Sequence, residues 1–234
     1  NIRELQHAME RSVIMSDGDF RKFGIVSLSA HDEIAANVAG VEDHMLLRDW
    51  GAGPLVVDYK DVSFKSRKVM FAEAEFFDYF GFKMLQGNAE TALADPGSVV
   101  ITKSTAEKIF GNANPMGEVI SFEGTVAFDL KVAGVMEDTD NSYMDFEFLV
   151  AFDTKNAKNG SVIMREGWRN SIYGYYKLAE GVQPEAVAKR TKEFYLDKYK
   201  DDASTLSYLE NESYAFQPVS EIYFNSADVT FDDN

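Results

Sequence analysis

Apolar and polar positions alternate along this chain in segments of two distinct periods. Ile34 and Val38 lie four residues apart between Ser29 and Gly40, which predicts a helix ended by the glycine, with Ser29 and Asp32 in a capping arrangement at its start. A strand is expected over 41–48. Gly51-Ala52-Gly53-Pro54 is the clearest break in the first half and is placed as a lobe boundary. Val69 and Phe71 then share one strand face, while Phe76, Phe77 and Phe80 fall at helical spacing before Gly81, so these rings are expected in a core. A short strand at 98–102 leads to Ser104 and Glu107, read as a capping box opening a two-turn helix whose Ala106, Ile109 and Phe110 form one apolar face. Gly111 closes that helix. Phe128, Leu130 and Val132 alternate with Asp129, Lys131 and Ala133, the period of a strand with one buried face, and Gly134 permits a bend or bulge.

Beyond a polar loop at 154–160, a tyrosine-rich strand over 171–178, a helix over 184–199 and a strand over 214–224 give a βαβ-like order. Pro184 suits a first helical turn. Val187, Thr191, Phe194 and Lys198, with Ala188 and Tyr195, form one stripe covering a sheet. The opening is ambiguous: 2–12 fits a helix, and either 12–16 or 23–29 fits a strand. The last residues, 232–234, are expected to fray. Neither an internal repeat nor a low-complexity tract occurs.

The 234 residues are 45% hydrophobic, enough for one large domain or two small lobes, and 18 Phe, 11 Tyr and 2 Trp supply most of the burial. Cysteine is absent, which removes disulfides, thiolate metal sites and cysteine nucleophiles without assigning a compartment. A net charge of −16, from 39 acidic against 23 basic residues, repels phosphate backbones and argues against nucleic-acid partners. The longest apolar run, 148–152, is far short of the roughly 20 residues needed to cross a bilayer. Because the chain begins at Asn1, it is expected to be a processed or excised piece of something larger.

Candidate chemistry is sparse. His7, His31 and His44 are not spaced as a metal-binding pair on a helix, and no Gly-x-Ser-x-Gly elbow occurs. Thr105-Ala106-Glu107-Lys108 has the spacing of a Ser-x-x-Lys nucleophile without the serine. The loop 111–117 superficially suggests a phosphate cradle, yet Glu118 stands where lysine should, and Pro115 in a turn explains it better. Asp138, Asp140, Ser142 and Asp145 suggest calcium, but Tyr143 occupies the required glycine and Leu149 the required glutamate. Asp17 with Asp19, Asp201 with Asp202, and Asp232 with Asp233 read as solvated turns. Tyr173, Tyr175 and Tyr176 with Trp168 have the composition of a carbohydrate platform, although sheet packing on both faces accounts for the tyrosines. No catalytic, cofactor-binding or metal-binding residue is therefore assigned, and no cofactor is expected.

The segments 76–87, 98–111, 114–117 (Asn-Pro-Met-Gly) and 132–135 (Val-Ala-Gly-Val) resemble, in order and spacing, successive motifs of the MacB-like periplasmic core domain of FtsX-like ABC-transporter permeases. Asn141-Ser142, Trp168, 175–181 and 216–224 resemble its Bacteroidetes-type form. The resemblance covers about 33–224, and the first 30 residues depart from the usual opening strand. It implies an α+β, two-lobed periplasmic domain: a discontinuous βαβ-containing lobe, 1–54 with 161–234, and an inserted mixed α/β lobe, 55–160. The implied partners are the chain's own transmembrane helices, a second permease copy, a cytoplasmic ABC ATPase, and a periplasmic adaptor or substrate. The implied place is the periplasmic face of the bacterial inner membrane, and the implied role is non-enzymatic, coupling ATP hydrolysis to export, release or signalling.

Two other readings are a secreted glycan-binding protein or hydrolase, and a ligand-sensing domain of a signalling permease. Lacking a phosphate loop, the isolated domain is expected neither to hydrolyse ATP nor to bind it. Titration calorimetry with ATP should show no saturable heat, and a saturating isotherm would overturn that expectation.

Overall fold

A computed structural model describes residues 12–16, 28–51, 53–139, 144–155, 173–211 and 214–219. The chain forms two compact units, 1–45 with 173–234, and 46–172. The break at 51–54 lies inside the second unit. The strand β2 (Val41–Asp49) carries the chain from the first unit to the second.

The first unit contains β1 (Ser12–Ser16), helix α1 (Leu28–Asn37), the start of β2, β11 (Tyr173–Leu178), helices α4 (Pro184–Lys198) and α5 (Ala203–Asn211), and β12 (Ala215–Pro218). Of the alternatives for the opening, 12–16 is the strand, while 2–11 and 17–27 lie outside the described residues. β1 lies between β11 and β12 and is antiparallel to both, so β11 and β12 run parallel and α4 crosses between them as a split βαβ. Pro184 occupies the first turn of α4, where its missing N–H costs nothing. Val187, Thr191 and Tyr195, at successive i, i+4 positions, are buried in a core with Ile34, Val38, Tyr176, Leu178 and Phe216. Lys198, which the sequence places on that stripe, instead turns outward to an ion pair with Glu33 at 2.6 Å, because its long stem lets the ammonium reach water.

Helix α5 corrects the expectation of a simple βαβ. The sequence shows no strong apolar stripe there, but Asp202 caps the helix, accepting from the Ser204 and Thr205 amides at 3.1 and 3.2 Å and from the Thr205 hydroxyl at 2.6 Å. The expected strand at 214–224 is seen only as β12, since 220–224 lie outside the described residues.

The second unit is built around β9 (Ala127–Met136), whose Phe128, Leu130 and Val132 are buried as the alternation predicts. Its strand order is β2, β5 (Val69–Ala72), β10 (Phe148–Ala151), β7 (Ser98–Thr102), β9, β8 (Val119–Glu123), β3 (Leu55–Tyr59), β4 (Val62–Ser66), and β6 (Met84–Gly87) joins β9 beside β8. β5, β7 and β10 are buried at every position, as strands covered on both faces must be. Against β7, the register of β9 skips Ala133, so Gly134 sits at a bulge as expected.

Helix α2 (Phe76–Phe80) ends at Gly81 in the left-handed conformation, φ 64°. Phe76 is the hub of an aromatic cluster, 5.4 Å from Phe77, 5.0 Å from Phe80 and 5.9 Å from Phe146, ring centre to ring centre. Helix α3 (Lys103–Phe110) buries Thr105, Ala106, Ile109 and Phe110 and packs on β7 and β9. No helix among the described residues is long and apolar enough to cross a membrane.

Phe77→Ala should lower the unfolding free energy by about 3–5 kcal/mol, the usual cost of emptying a buried aromatic site. Gly87→Ala should be similarly severe, because a Cβ there would stand 2.5 Å from the Ala133 carbonyl oxygen. Gly111→Ala, with open space around it, should cost less, about 1–3 kcal/mol, because φ 59° with ψ −118° is a conformation that residues with a Cβ rarely adopt. Urea denaturation of the three variants checks the order.

Candidate functional site

Helix α3 does not open with the Ser104/Glu107 capping box. Its N-cap is Thr102, two residues earlier, whose hydroxyl accepts from the Thr105 amide at 3.4 Å while the two hydroxyls bond at 2.8 Å. The hydroxyl that ends a buried strand is already in the extended geometry an N-cap needs, so β7 passes directly into α3. Ser104 is thereby freed to donate, through amide and hydroxyl, to Asp138. Burial opposes ionisation of Asp138, but those bonds and the charge of Lys103 outweigh it and hold the carboxyl below its ordinary range. Glu107 pairs with Lys103 one turn back.

Around this helix start lies a shallow hollow of about 150 Å³ bordered by Lys68, Ser104, Lys108, Asp138, Asp145 and Glu147. Its charged side chains are engaged by their neighbours. Lys68 pairs with Asp145 at 2.8 Å, Glu147 accepts from the Ser66 hydroxyl at 2.8 Å, and the Lys108 ammonium sits 3.5 Å from the centre of the Phe64 ring. Asp138 and Asp145, two members of the calcium-like run, are thus each engaged separately, and Asp140 to Tyr143 lie outside the described residues. Thr105 is buried against Thr102 and Lys108 covers a ring, so the pseudo-nucleophile spacing brings no base to a hydroxyl.

The loop 111–117 is a turn. Pro115 carbonyl accepts from Glu118, Gly117 amide donates to Val132, and the Glu118 carboxylate accepts from Tyr59 at 2.5 Å. That hydrogen bond and the neighbouring Lys60 charge hold Glu118 below its ordinary range, so an acid occupies the place where a phosphate loop needs a cation.

In the first unit the polar group that stands out is His31 of α1, 2% exposed. Its Nδ1 lies 2.6 Å from the Tyr176 hydroxyl, and its Nε2 has no hydrogen-bond partner among the described residues. The space for the ring exists because residue 174 is glycine: a Cβ there would stand 2.2 Å from His31 Nδ1. His44 of β2 stacks on Tyr176, ring centres 6.2 Å apart, and bonds Asp32 at 3.0 Å. Tyr195 of α4 donates to the Ala30 carbonyl at 3.2 Å, tying the crossover helix to α1. Tyr175 and Tyr176 are wholly buried, so they are packing groups on opposite faces of β11; Trp168 and His7 lie outside the described residues. Sequence reasoning treated His31 as one of three scattered histidines. The signal that could have marked it was Gly174, an isolated glycine inside a strand pattern, which indicates close approach by another group. Arg48 was also missed: it is 1% exposed, and burial draws its guanidinium down to about 10 against the opposing charge of Asp49. Among the described residues no group of three or more His, Asp or Glu is placed to hold a metal.

Both clusters therefore hold elements together. The family model of the MacB-like periplasmic core domain matches residues 5–194. The chain belongs to that family. Its MacB-like fold is shared with solved structures of low identity. A domain ascribed to a permease protein of Porphyromonas gingivalis is 22% identical, with TM-score 0.64 over 90% of this chain and 91% of that one. The periplasmic region of MacB from Actinobacillus actinomycetemcomitans is 16% identical, with TM-score 0.62 over 98% and 97%. The extracellular domain of the noncanonic ABC-type transporter YknZ from Gram-positive bacteria is 14% identical, with TM-score 0.58 over 88% and 99%. No curated protein matches the chain. In this MacB-like domain the segments 76–87, 98–111, 114–117 and 132–135 take in the packed elements α2, β7, α3 and β9, the largely exposed β6 and the loop before β8.

Gly174→Ala should destabilise the first unit by about 1–3 kcal/mol through overpacking, and Tyr176→Phe by a similar amount through the unsatisfied imidazole. Because both disturb one contact, the double variant should lose less than the sum. A double-mutant cycle in urea measures the coupling, and strict additivity would break the proposed link.

Proposed function

We propose that this chain is the extracytoplasmic, non-catalytic domain of an ABC-transporter permease, carrying motion driven by a cytoplasmic ATPase into export, release or signalling outside the membrane. The observation that carries the reading is the pairing of β1 with β12. Val13 lies opposite Pro218 and Ser16 opposite Ala215, so the chain enters β1 and leaves β12 at the same end of one antiparallel pair. A domain inserted between two membrane helices needs this, because both connections must return to one surface.

The packed cores supply the second support. Strands buried at every position and a Phe-centred cluster deform as units, which suits transmission by rigid-body shifts rather than by continuous bending. The unit made from both ends of the chain would take up movement from the flanking helices, and the 46–172 unit would present it to a periplasmic adaptor or substrate. A second permease copy would complete the assembly.

The parent polypeptide is expected to carry hydrophobic helices of about 20 residues on both sides of this segment. Val119, 52% exposed, provides a site for a topology test. With Val119→Cys in the full-length protein, a membrane-impermeant maleimide should label the segment in cells with an intact inner membrane. The segment has no cysteine of its own to add background. Labelling only after the inner membrane is broken, or a parent with a cleavable signal and no flanking helices, would overturn the reading.

A further inference from the structure

His31 and His44 lie in the unit formed by 1–45 and 173–234, and the stretch 46–172 contains no histidine. His31 is enclosed on every side by packed elements. On its own helix α1 stand Asp32 and Glu33; β2 presents His44; β11 presents Tyr176 and the bare backbone of Gly174; and α4 presents Tyr195 and, outside it, Lys198. Glu33 is committed to Lys198, and Asp32 to His44 at the exposed rim. Tyr176 and Tyr195 are held neutral, since burial pushes both phenols up.

A neutral imidazole fits this enclosure as the tautomer with its proton on Nδ1, which meets the Tyr176 hydroxyl and leaves Nε2 bare. A second proton changes that. With both nitrogens protonated, Nε2 carries an N–H where no acceptor is in reach among the described residues, and a positive charge stands in a site closed to water. The ring is pressed against the Gly174 backbone, in the space a Cβ there would need, and is 2% exposed, so bringing water to it means separating α1 from β11.

We infer that His31 makes the first unit an acid-released latch: its protonation requires α1 to lift from β11, so mild acid opens this unit while leaving the 46–172 unit closed. Burial, the largest cause, and the His44 charge bring His31 down from 6.5 to about 4, with Asp32 opposing. The sign follows. A histidine with a depressed folded pKa binds fewer protons folded than open, so stability is complete above pH 6.5 and declines as pH falls toward 4. At pH 4.5 the open form should gain on the order of 10–100-fold over its population at pH 7. The response belongs to the unit itself and stands apart from the permease reading.

Amide hydrogen exchange on the whole chain, corrected for intrinsic rates and resolved by peptide, tests the latch at pH 7 and pH 4.5. Peptides of α1, β11 and α4 should open roughly 10–100-fold more often in acid, with those of β7, α3 and β9 unchanged. His31→Gln should abolish the difference, and His44→Gln should keep most of it. Equal opening of both units, or an undiminished difference in His31→Gln, would overturn the latch. Should His31→Gln fail to fold, carbon-13 NMR of the wild-type imidazole decides: a ring that stays neutral until the unit opens supports it, and one that titrates near 6.5 in the folded unit refutes it.

Discussion

The 46–172 unit depends on how close β9 allows its neighbours to come. One edge of that strand takes β7 along its C-terminal half, and the other edge is shared between β8 and β6. On the shared edge β8 pairs with Ala127 to Lys131 and β6 with Gly134 to Met136, and the bulge against β7 falls at Ala133, between those two runs. At that point Gly87 and Gly134 bring two backbones so near that a side chain on Gly87 would meet the Ala133 carbonyl. With β6 fixed there, α2 and its phenylalanines are delivered to the core just upstream, and β7 with α3 is clamped on the other side.

The first unit relies on a different device. Its strands come from opposite ends of the chain, and beside the β1 ladders and the shared apolar core, side chains bridge distant segments: His31 with Tyr176, Tyr195 with the Ala30 carbonyl, Arg190 with the Ala39 carbonyl, Lys198 with Glu33. Two of these are buried and two are at the rim. The buried pair is sensitive to single atoms, whereas a surface ion pair such as Lys198 with Glu33 is commonly worth under about 1 kcal/mol.

Much of this was readable in advance where a single period ran unopposed. The alternation in β9, the helical phenylalanines of α2 and the proline-led α4 follow directly from it. What the sequence hid were choices among equivalent local signals. Thr102 and Ser104 are both competent caps, and tertiary burial of β7 selected the first. Helix α5 rests on one aspartate and two hydroxyl residues, a pattern that a turn shares. Lys198 keeps the spacing of the apolar stripe, and only its length sends it to Glu33. His31 and Arg48 were hidden for the same reason: polar residues are read as surface unless some neighbour betrays the space they fill, and for His31 that neighbour, Gly174, is 143 positions away in the chain.

The antiparallel pairing of β1 with β12 has a mechanical meaning. Drawing the two ends of the pair sideways away from each other would load its hydrogen bonds one at a time, as a zipper opens, and such geometry yields at low force. Moving both ends together loads none of them. On the permease reading proposed above, two flanking helices would have to travel as a couple, because a stroke that spread them would begin to peel β1 from β12.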